Sequence, residues 1–260
     1  MRFGVIGTGH LASYFIAALR RGGYRGDILV SPRNASAAAK LARDRQCSVA
    51  VSNDDVLDRA DVILLSLRPQ HAVEALKPLS WESRHIALSA MAGVELDDLR
   101  RLMPGAGAIH RLMPGSYIEA APGPIAVYPA APALSPLLAS AGEVVTLKDE
   151  QAFEAAMIAV CFSTWIYDLA DAVTDELSRH GLEPATARAL TLGNIAGAAG
   201  FALARPLDPL AAISASIATE GTFTKMGLDH LKERRFEAPW REAIAMLSAK
   251  LQERGPTGHG

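Results

Sequence analysis

A glycine-rich loop near the start of the chain is the segment best suited to chemistry. The apolar run Phe3 to Ile6 leads directly into Gly7-Thr8-Gly9-His10-Leu11-Ala12, which has the spacing G-x-G-x-x-A. In this pattern the first glycine makes a tight turn, the second lets the backbone approach a phosphate, and the small last residue lets the next helix pack closely. Free N–H groups at a helix start bind anions. The loop therefore predicts a dinucleotide site formed by Gly7, Thr8, Gly9, His10 and Leu11.

The residues after the second predicted strand bear on which dinucleotide binds. Sites for NAD usually carry an acid there to bind ribose hydroxyls, whereas a 2′-phosphate needs hydroxyl and guanidinium donors. This chain has Ser31-Pro32-Arg33-Asn34 and no acid at that place. The planar, always charged group of Arg33 suits a phosphate. The pattern favours NADP, with Ser31 and Arg33 as ligands; the alternative is that Arg33 is a solvated turn residue.

Apolar segments alternate with helical patterns through the first 149 residues. After the opening strand, further strands are predicted at 27–30, 47–51, 61–67, 85–90, 108–112, 125–128 and 144–149. The run Asp61 to Leu67 is apolar over consecutive residues, which is typical of a strand buried on both faces of a parallel sheet. The alternation predicts an α/β fold, with a Rossmann-type doubly wound parallel sheet over residues 1–149.

From residue 150 onwards the pattern is helical. Helices are predicted at 150–179, 184–204, 209–218, 222–235 and 239–253, and residues 255–260 are predicted to be a disordered tail. Gly193, Gly197 and Gly200 permit close approach of another helix, and this stretch is either a core helix beside the sheet domain or part of a subunit interface, of which the interface is favoured. Residues 150–254 are therefore predicted to form an all-α substrate and dimerisation domain of a homodimer or higher homo-oligomer.

Composition and charge argue against several other classes of protein. The chain has 260 residues, half of them hydrophobic, and a formal net charge of -2, which gives no reason to expect nucleic acid or a membrane as partner. Cys47 and Cys161 lie far apart and form no C-x-x-C pair, which argues against a disulfide framework or a metal site. We find no signal-peptide pattern and no uncharged apolar run long enough to span a bilayer. A cytoplasmic protein that binds a small-molecule substrate is expected.

Several further runs agree in order and spacing with one family. They are the glycine loop, Asn53 before the third helix, the runs Leu64 to Gln70 and Ser89 to Leu96, and Arg111-Leu112-Met113-Pro114. On these residues the chain resembles the pyrroline-5-carboxylate reductases, well to about residue 130 and less closely beyond. The resemblance implies an NADPH-dependent enzyme that reduces 1-pyrroline-5-carboxylate, a cyclic imine acid, to proline. It adds Asn53, Leu67, Arg68, Pro69 and Ala92 to the cofactor site and Met113 to the substrate site; Arg68 stands where the family usually has lysine.

A late loop departs from the family pattern. The family opens a helix there with Ser-Pro-Gly-Gly-Thr-Thr, whose N–H and hydroxyl groups bind a substrate carboxylate; this chain reads Ala218-Thr219-Glu220-Gly221-Thr222-Phe223-Thr224. The resemblance places Glu220, Gly221 and Thr222 at the substrate and makes Thr222 the catalytic hydrogen-bond donor, although a threonine here also suits a helix N-cap. The charge of Glu220 would repel a carboxylate in a dry site unless it is paired or turned away.

Three functions remain open at this point. The first is reduction of pyrroline-5-carboxylate or a near relative. The second is the same reaction type on another imine, a keto acid or another carbonyl compound, as Glu220, Phe223 and Trp165 suggest. The third is a non-catalytic, dimeric NADP-binding protein.

The proton donor is also left open by the sequence. Tyr167, Asp168 and Asp171 lie on the long helix, where they either serve the chemistry or mark its solvent face. His110 either approaches the nicotinamide from the end of its strand or is a hydrogen-bonded structural residue.

Overall fold

The computed structural model describes residues 1–252, so the predicted helix end at Glu253 and the predicted tail at 255–260 lie outside it. Its strands are β1 Phe3–Ile6, β2 Ile28–Val30, β3 Ser48–Val49, β4 Val62–Leu65, β5 Ile86–Ser89, β6 Ala108–Pro114, β7 Pro124–Tyr128 and β8 Glu143–Thr146. Its helices are α1 His10–Arg21, α2 Ala35–Arg45, α3 Asn53–Arg59, α4 Ala72–Leu76, α5 Leu96–Leu102, α6 Ser135–Ala141, α7 Glu150–Arg179, α8 Pro184–Leu203, α9 Leu210–Ile217, α10 Phe223–Glu233 and α11 Glu237–Gln252. Short 3-10 turns lie at Pro69–His71, Ser116–Glu119 and Pro132–Leu134.

The strands form one doubly wound sheet. Their order is β3-β2-β1-β4-β5-β6-β7-β8, and β1 to β6 run parallel. From β1 the chain builds outwards to β3 and then returns to the other side of β1 for β4. In sheets of this kind, ligands bind at the carboxyl ends of the strands where the order reverses. The carboxyl ends of β1 and β4 are therefore the place to look for a site.

Strand β7 differs from the predicted all-parallel sheet. It runs antiparallel to β6, with Arg111 opposite Tyr128 and Pro114 opposite Ile125, and β8 is parallel to β7. The reason is the short connection, because a parallel crossover needs a dozen or more residues and 115–123 hold only a 3-10 turn. The predicted fold class is confirmed: a mainly parallel Rossmann-type sheet is followed, within the described chain, by helices alone from residue 150.

Both faces of the sheet are buried, which explains the continuous apolar runs. In β4, Val62 and Leu64 belong to a cluster that contains Phe15 of α1, whereas Ile63 and Leu65 belong to a cluster on the opposite face with residues of α3, α4 and α5. Each fully buried aliphatic side chain contributes about 1.5–3 kcal/mol. The central strands are thereby held rigidly, and so are the loops at their carboxyl ends.

The described chain divides into two compact units, and the division falls inside α7. The sheet unit comprises Met1–Cys161 with the chain end from Lys250, and the helical unit comprises Phe162–Ala249. The domain boundary predicted after residue 149 lies where α7 begins and stays a prediction. Within the helical unit, the ring of Trp240 lies 5.7 Å from that of Phe162 and 6.0 Å from that of Trp165.

The helical unit leaves much apolar surface exposed. Helices α9 and α10 bury no residue, and α8 buries only Ala187 and Thr191. The exposed apolar side chains include Leu190, Phe201, Leu203, Leu207, Leu210, Ile217, Phe223 and Met226. Exposed apolar surface on this scale marks an interaction site. The helical unit therefore has an exposed apolar surface suited to bind another protein.

Among the described helices, α7 alone is long and apolar enough to cross a membrane by length and composition. Its first turns are part of the sheet unit's core, because Phe153 and Met157 are buried there. Glu154 on the same turns binds the side chain of Arg111. These contacts involve the first turns only, and 17% of the apolar window of α7 is buried inside the described chain.

Candidate cofactor and substrate sites

The glycine loop is fixed by the strands on either side of β1. Gly7 has a φ of +98°, a left-handed conformation that glycine adopts without strain. A Cβ at Gly7 would lie 2.3 Å from the carbonyl oxygen of Ser66, just after β4. On the other side, the Gly7 N–H donates to Ser31 Oγ at 2.9 Å, just after β2. The turn is thus preformed at the point where the strand order reverses.

The start of α1 has the features of an anion site. Gly9 is its N-cap, no side chain caps it, and its first turn contains no acid. A Cβ at Gly9 would meet no atom within 4 Å, so the space beside this backbone is open. Thr8 Oγ1 is buried and has no hydrogen-bond partner within residues 1–252. Such an unpaired hydroxyl costs about 1–3 kcal/mol, and a phosphate oxygen would satisfy it. These donors fit the pyrophosphate of a dinucleotide.

An open pocket of about 490 Å³ adjoins the loop. Its walls come from the carboxyl ends of three neighbouring strands, β1, β2 and β4. The predicted cofactor residues in these walls are Gly7, Thr8, Gly9, Arg33, Leu67 and Arg68, and the walls also include Asn34, Ala35, Ser66 and His71. The structure therefore brings together half of the predicted cofactor set around one cavity.

Ser31 lies behind the loop and not in the pocket wall. Its side chain is 1% exposed, and its hydroxyl oxygen is occupied by the Gly7 N–H. The short side chain points under the turn, where it reaches the loop backbone. Its predicted contact with a 2′-phosphate stays a prediction. Ser31 is a positioning residue of the loop.

The other predicted cofactor residues lie at the same edge of the sheet but outside the pocket wall. His10 and Leu11 are the first residues of α1, and Asn53 is the first residue of α3. Pro69 begins the 3-10 turn after β4, and Ala92 is exposed in the turn after β5. Contacts between these residues and a cofactor stay predictions.

Two histidines of the sheet unit are buried and hydrogen-bonded to the backbone. The Glu82 N–H donates to Nδ1 of His85 at 2.9 Å, so Nε2 carries the hydrogen and donates to Leu57 O at 3.1 Å. Nδ1 of His110 donates to the Pro129 carbonyl at 3.0 Å. Burial lowers the pKa of both imidazoles. Of the two roles considered for His110, these contacts support the structural one.

A buried ion-pair cluster joins β6 to α7, and the sequence analysis missed it. The Arg111 side chain is fully buried and binds Glu150 Oε1 and Glu154 Oε1 at 2.5 Å each. Glu150 Oε1 also accepts the Leu96 N–H at 2.7 Å, and the guanidinium lies 4.5 Å from the ring of Phe153. A signal was available: an arginine in an apolar strand, and two glutamates four residues apart at a helix start, which share one face.

Met113 has a packing role in the sheet unit. Its side chain is 8% exposed and lies in a cluster with Ala126, Phe153 and Met157. Because side chains alternate along a strand, Met113 shares the α7 face of β6 with Arg111, while Leu112 faces the opposite core. Its predicted contact with substrate stays a prediction. The short motif gave no information on which helix would cover this face.

The predicted substrate loop forms the N-terminal cap of α10 in the helical unit. Gly221 has a φ of +80°, and Thr222 is the N-cap. Thr222 Oγ1 accepts the Lys225 N–H at 3.1 Å and donates to Thr219 O at 2.7 Å. The hydroxyl hydrogen is therefore already bound, which supports the capping role considered for Thr222. A catalytic role for Thr222 stays a prediction.

Charges on α10 partly balance Glu220. The pKa of Lys225 is raised, mainly by its hydrogen bond to Asp229 at 2.6 Å and also by the negative charge of Glu220. Glu220 is therefore close enough to Lys225 to interact with it. The ammonium of Lys225 is hydrogen-bonded to Asp229, so its charge is shared between two carboxylates.

The three candidate proton donors of α7 are all exposed in the helical unit. Asp168 lines an open groove of about 480 Å³ together with Trp165 and Trp240. Tyr167 and Asp171 lie on one face of the helix, as a solvent-facing pair would. Their part in proton transfer stays a prediction. Over residues 1–252 we find no group of three or more His, Cys, Asp or Glu side chains that could hold a metal ion.

Two family models match different parts of the chain. Residues 2–93 match a family described as NADP oxidoreductase, coenzyme F420-dependent, and residues 149–254 match the pyrroline-5-carboxylate reductase dimerisation family. The chain is 28% identical to the pyrroline-5-carboxylate reductase of Pseudomonas aeruginosa over 97% of this chain and 96% of the relative.

Solved structures share the fold at lower identity. The 1-pyrroline-5-carboxylate reductase of Streptococcus pyogenes is 22% identical with a TM-score of 0.84, over 97% of this chain and 98% of that one. The pyrroline carboxylate reductase of Plasmodium falciparum with NADP bound is 17% identical with a TM-score of 0.84, over 98% of both chains. The two matched families, the full-length relatives and this fold lead to one conclusion: the chain belongs to the pyrroline-5-carboxylate reductase family of NAD(P)H-dependent oxidoreductases.

Proposed function

We propose that this protein uses NADPH to reduce a cyclic imine acid, with 1-pyrroline-5-carboxylate as substrate and proline as product. The observation that carries the cofactor assignment is the unpaired, buried hydroxyl of Thr8 beside the open N-terminus of α1. The pyrroline-5-carboxylate reductases of Pseudomonas aeruginosa and Haemophilus influenzae, which match along almost their whole length, support the substrate assignment.

The residues around the pocket bind and orient the cofactor in this proposal. NADPH supplies the hydride when it is bound. The first N–H groups of α1 and the Thr8 hydroxyl bind the pyrophosphate, and Arg33 binds the 2′-phosphate. Arg68 adds a second positive charge to the pocket wall. Because a protonated cyclic imine is already electrophilic, correct positioning supplies most of the rate acceleration.

The N-terminus of α10 binds the substrate carboxylate in this proposal. The first turn of α10 contains no acid, and its N–H groups suit an anion. The Thr222 hydroxyl accepts the Lys225 N–H and so fixes the geometry of this turn. Gly221 takes the left-handed conformation that brings the chain into the cap. Thr222 thereby acts on the substrate through the backbone.

A second candidate substrate is an imine or carbonyl compound that has no carboxylate. Glu220 favours it, because its negative charge opposes an incoming carboxylate and the ammonium of Lys225 is already hydrogen-bonded to Asp229. The exposed ring of Phe223 at the same loop favours a bulkier apolar group. Both substrates use the same cofactor site.

We further propose that the protein is a cytoplasmic homodimer or higher homo-oligomer. The match of residues 149–254 to a dimerisation family and the exposed apolar side chains of α8, α9 and α10 support oligomerisation. Both cysteines are free, and burial raises the pKa of Cys47 to about 11, so that this thiol is unreactive. Free thiols are usual in a reducing compartment.

The decisive experiment is an assay of the purified protein with NADPH and 1-pyrroline-5-carboxylate, followed by the absorbance of the reduced cofactor. Oxidation of NADPH well above background is expected. Oxidation only with imines or ketones that lack a carboxylate would replace the first substrate by the second. Tight NADPH binding without oxidation, either by 1-pyrroline-5-carboxylate or by imines and ketones that lack a carboxylate, would indicate a non-catalytic NADP-binding protein.

The cofactor assignment has its own test in Arg33→Ala. Loss of a phosphate-binding guanidinium is expected to weaken NADPH binding by about tenfold or more and to leave NADH binding unchanged. Arg43→Ala, an exposed arginine of α2 paired with Asp44, is the matched control. Equal losses for NADPH and NADH would contradict the 2′-phosphate assignment.

A further inference from the structure

A glutamate at the pocket lies between an arginine and a histidine. Glu74 of α4 places Oε2 3.9 Å from Nη2 of Arg33 and 3.9 Å from Nδ1 of His71. Arg33 and His71 both line the pocket beside the glycine loop. One carboxylate oxygen is thus shared by two nitrogen donors that come from different strand ends.

The contacts of Glu74 are too long and too exposed to stabilise the fold. A distance of 3.9 Å exceeds the range of an N–H···O hydrogen bond, and the exposed fractions are 56% for Arg33, 73% for Glu74 and 38% for His71. An ion pair of this kind contributes little to stability. Both side chains are therefore held loosely and are free to turn to a stronger anion.

We propose that Arg33 and His71 together bind the 2′-phosphate of NADPH, and that Glu74 is the anion that phosphate displaces. This inference rests on the proposed function, because it assumes that the pocket holds the dinucleotide. A phosphate monoester carries more negative charge than a carboxylate and offers three oxygens, so that the guanidinium and the imidazole each find an acceptor. NADH has no such group, and Glu74 keeps its place when NADH binds.

The two residues have opposite effects on cofactor preference. His71 adds a donor for the phosphate and strengthens NADPH binding. Glu74 adds a like charge beside the phosphate and weakens NADPH binding. For exposed charges about 4–6 Å apart, each effect is on the order of threefold to tenfold in affinity. Glu74 and His71 therefore set how strongly the protein prefers NADPH over NADH.

The test is calorimetric binding to the purified full chain, with four ligands. These are NADPH, NADH, adenosine 2′,5′-bisphosphate and adenosine 5′-monophosphate. Glu74→Gln is expected to bind NADPH and the bisphosphate threefold to tenfold more tightly, and His71→Ala to bind them threefold to tenfold more weakly. Neither variant should change the affinity for NADH or the monophosphate. Glu82→Gln, an exposed glutamate that pairs with Arg84 before the start of β5, is the charge-matched control and should change nothing.

Two results would overturn the inference. One is a Glu74→Gln protein whose NADPH affinity is unchanged or reduced. The other is a His71→Ala protein that loses NADPH and NADH affinity equally. A third outcome is that Glu74→Gln and His71→Ala leave every affinity unchanged while Arg33→Ala still weakens NADPH binding and not NADH binding. In that case the cofactor assignment stands and this inference alone fails. If the wild-type protein binds no dinucleotide or has no preference for NADPH, the proposed cofactor site fails and the inference fails with it.

Discussion

The sheet unit and the helical unit differ in how completely each buries its own apolar side chains. In the sheet unit, two large clusters fill both faces of the central strands. In the helical unit, the buried residues of the described chain are only Ala170, Ala187, Thr191 and Ala218. The sheet unit forms its core from its own residues. The helical unit leaves its apolar helices exposed and would need another protein surface to cover them. The loop proposed to bind the cofactor thus belongs to the self-sufficient unit, and we expect the stability of the helical unit to depend on association.

The largest predicted effect would disrupt the self-sufficient sheet unit. Arg111→Met removes a fully buried cation from Glu150 and Glu154, which are 29% and 25% exposed, so we expect a cost of about 3 kcal/mol, the lower end of the range for a buried ion pair. The free energy of unfolding in urea is expected to fall by this amount at every protein concentration. Arg101→Met, an exposed arginine of α5, is the control. A loss below about 1 kcal/mol would mean that Arg111 contributes no more than a surface pair.

The second-largest effect compares two glycines of the loop: Gly7, which determines the backbone shape, and Gly9, which leaves space for a ligand. Gly7→Ala forces a positive φ on alanine and brings its Cβ against Ser66 O, which costs about 3 kcal/mol. Gly9→Ala meets no atom and should cost less than about 1 kcal/mol, yet its methyl group fills the space proposed for the pyrophosphate. Thermal unfolding and NADPH titration check both variants. Unchanged NADPH affinity in Gly9→Ala would place the pyrophosphate elsewhere.

The third effect tests whether the helical unit relies on a second copy of the chain. A Cβ at Gly197 of α8 would meet no atom within 4 Å, so Gly197→Leu fits the single chain. If the glycines of α8 lie in the subunit interface, the larger side chain should weaken association by about tenfold or more. Light scattering coupled to size-exclusion chromatography measures the change. Gly227→Leu, an equally open site on α10, is the comparison, and an oligomer unaffected by Gly197→Leu would exclude this stretch from the interface.

The smallest effect is a pH dependence that belongs to the sheet unit. Burial lowers the pKa of His85 and His110 below the usual value of about 6.5. The unfolded chain therefore takes up protons that the folded chain resists, and stability that is complete above about pH 6.5 falls as the pH drops below it. The slope is at most about 1.4 kcal/mol per pH unit for each proton. Urea unfolding between about pH 8 and about pH 5 checks the trend.

Two variants assign the pH dependence to a residue. His85→Gln should be less stable near neutral pH and should lose stability less steeply on acidification. His180→Gln, an exposed histidine after α7, should follow the wild-type curve. A wild-type stability that stays constant down to about pH 5 would show that neither buried imidazole matters.

Much of the sheet unit was predictable from the sequence because its signals are local. The continuous apolar run in β4 predicts a strand buried on both faces, and Val62 and Ile63 indeed face opposite clusters. The helix start after Ser52 was also predictable, and its hydroxyl accepts the Asp55 N–H as an N-cap should. Such features depend on residues a few positions apart.

The features that sequence reasoning missed depend on which elements pack together. The packing of Met113 in the core was not predicted, because it follows from α7 covering that face of β6. The hydrogen bond of Ser31 to the loop was not predicted either, because it follows from β2 ending directly beside β1; the contacts of both residues with ligands stay predictions. The direction of β7 follows from the length of the preceding connection, a signal that was present but not used.

The hydrogen bond from Gly7 to Ser31 has a consequence for redesign of the cofactor preference. Exchange of Ser31 for an acid, the usual feature of NAD sites, would put a charge in a nearly solvent-free position and alter the bond that shapes the turn. Arg33 and His71 occupy the pocket wall and can be exchanged without touching that bond. Loop shape and the proposed determinants of cofactor choice thus lie at separate positions, so selection or engineering can retune the second while the first stays constant.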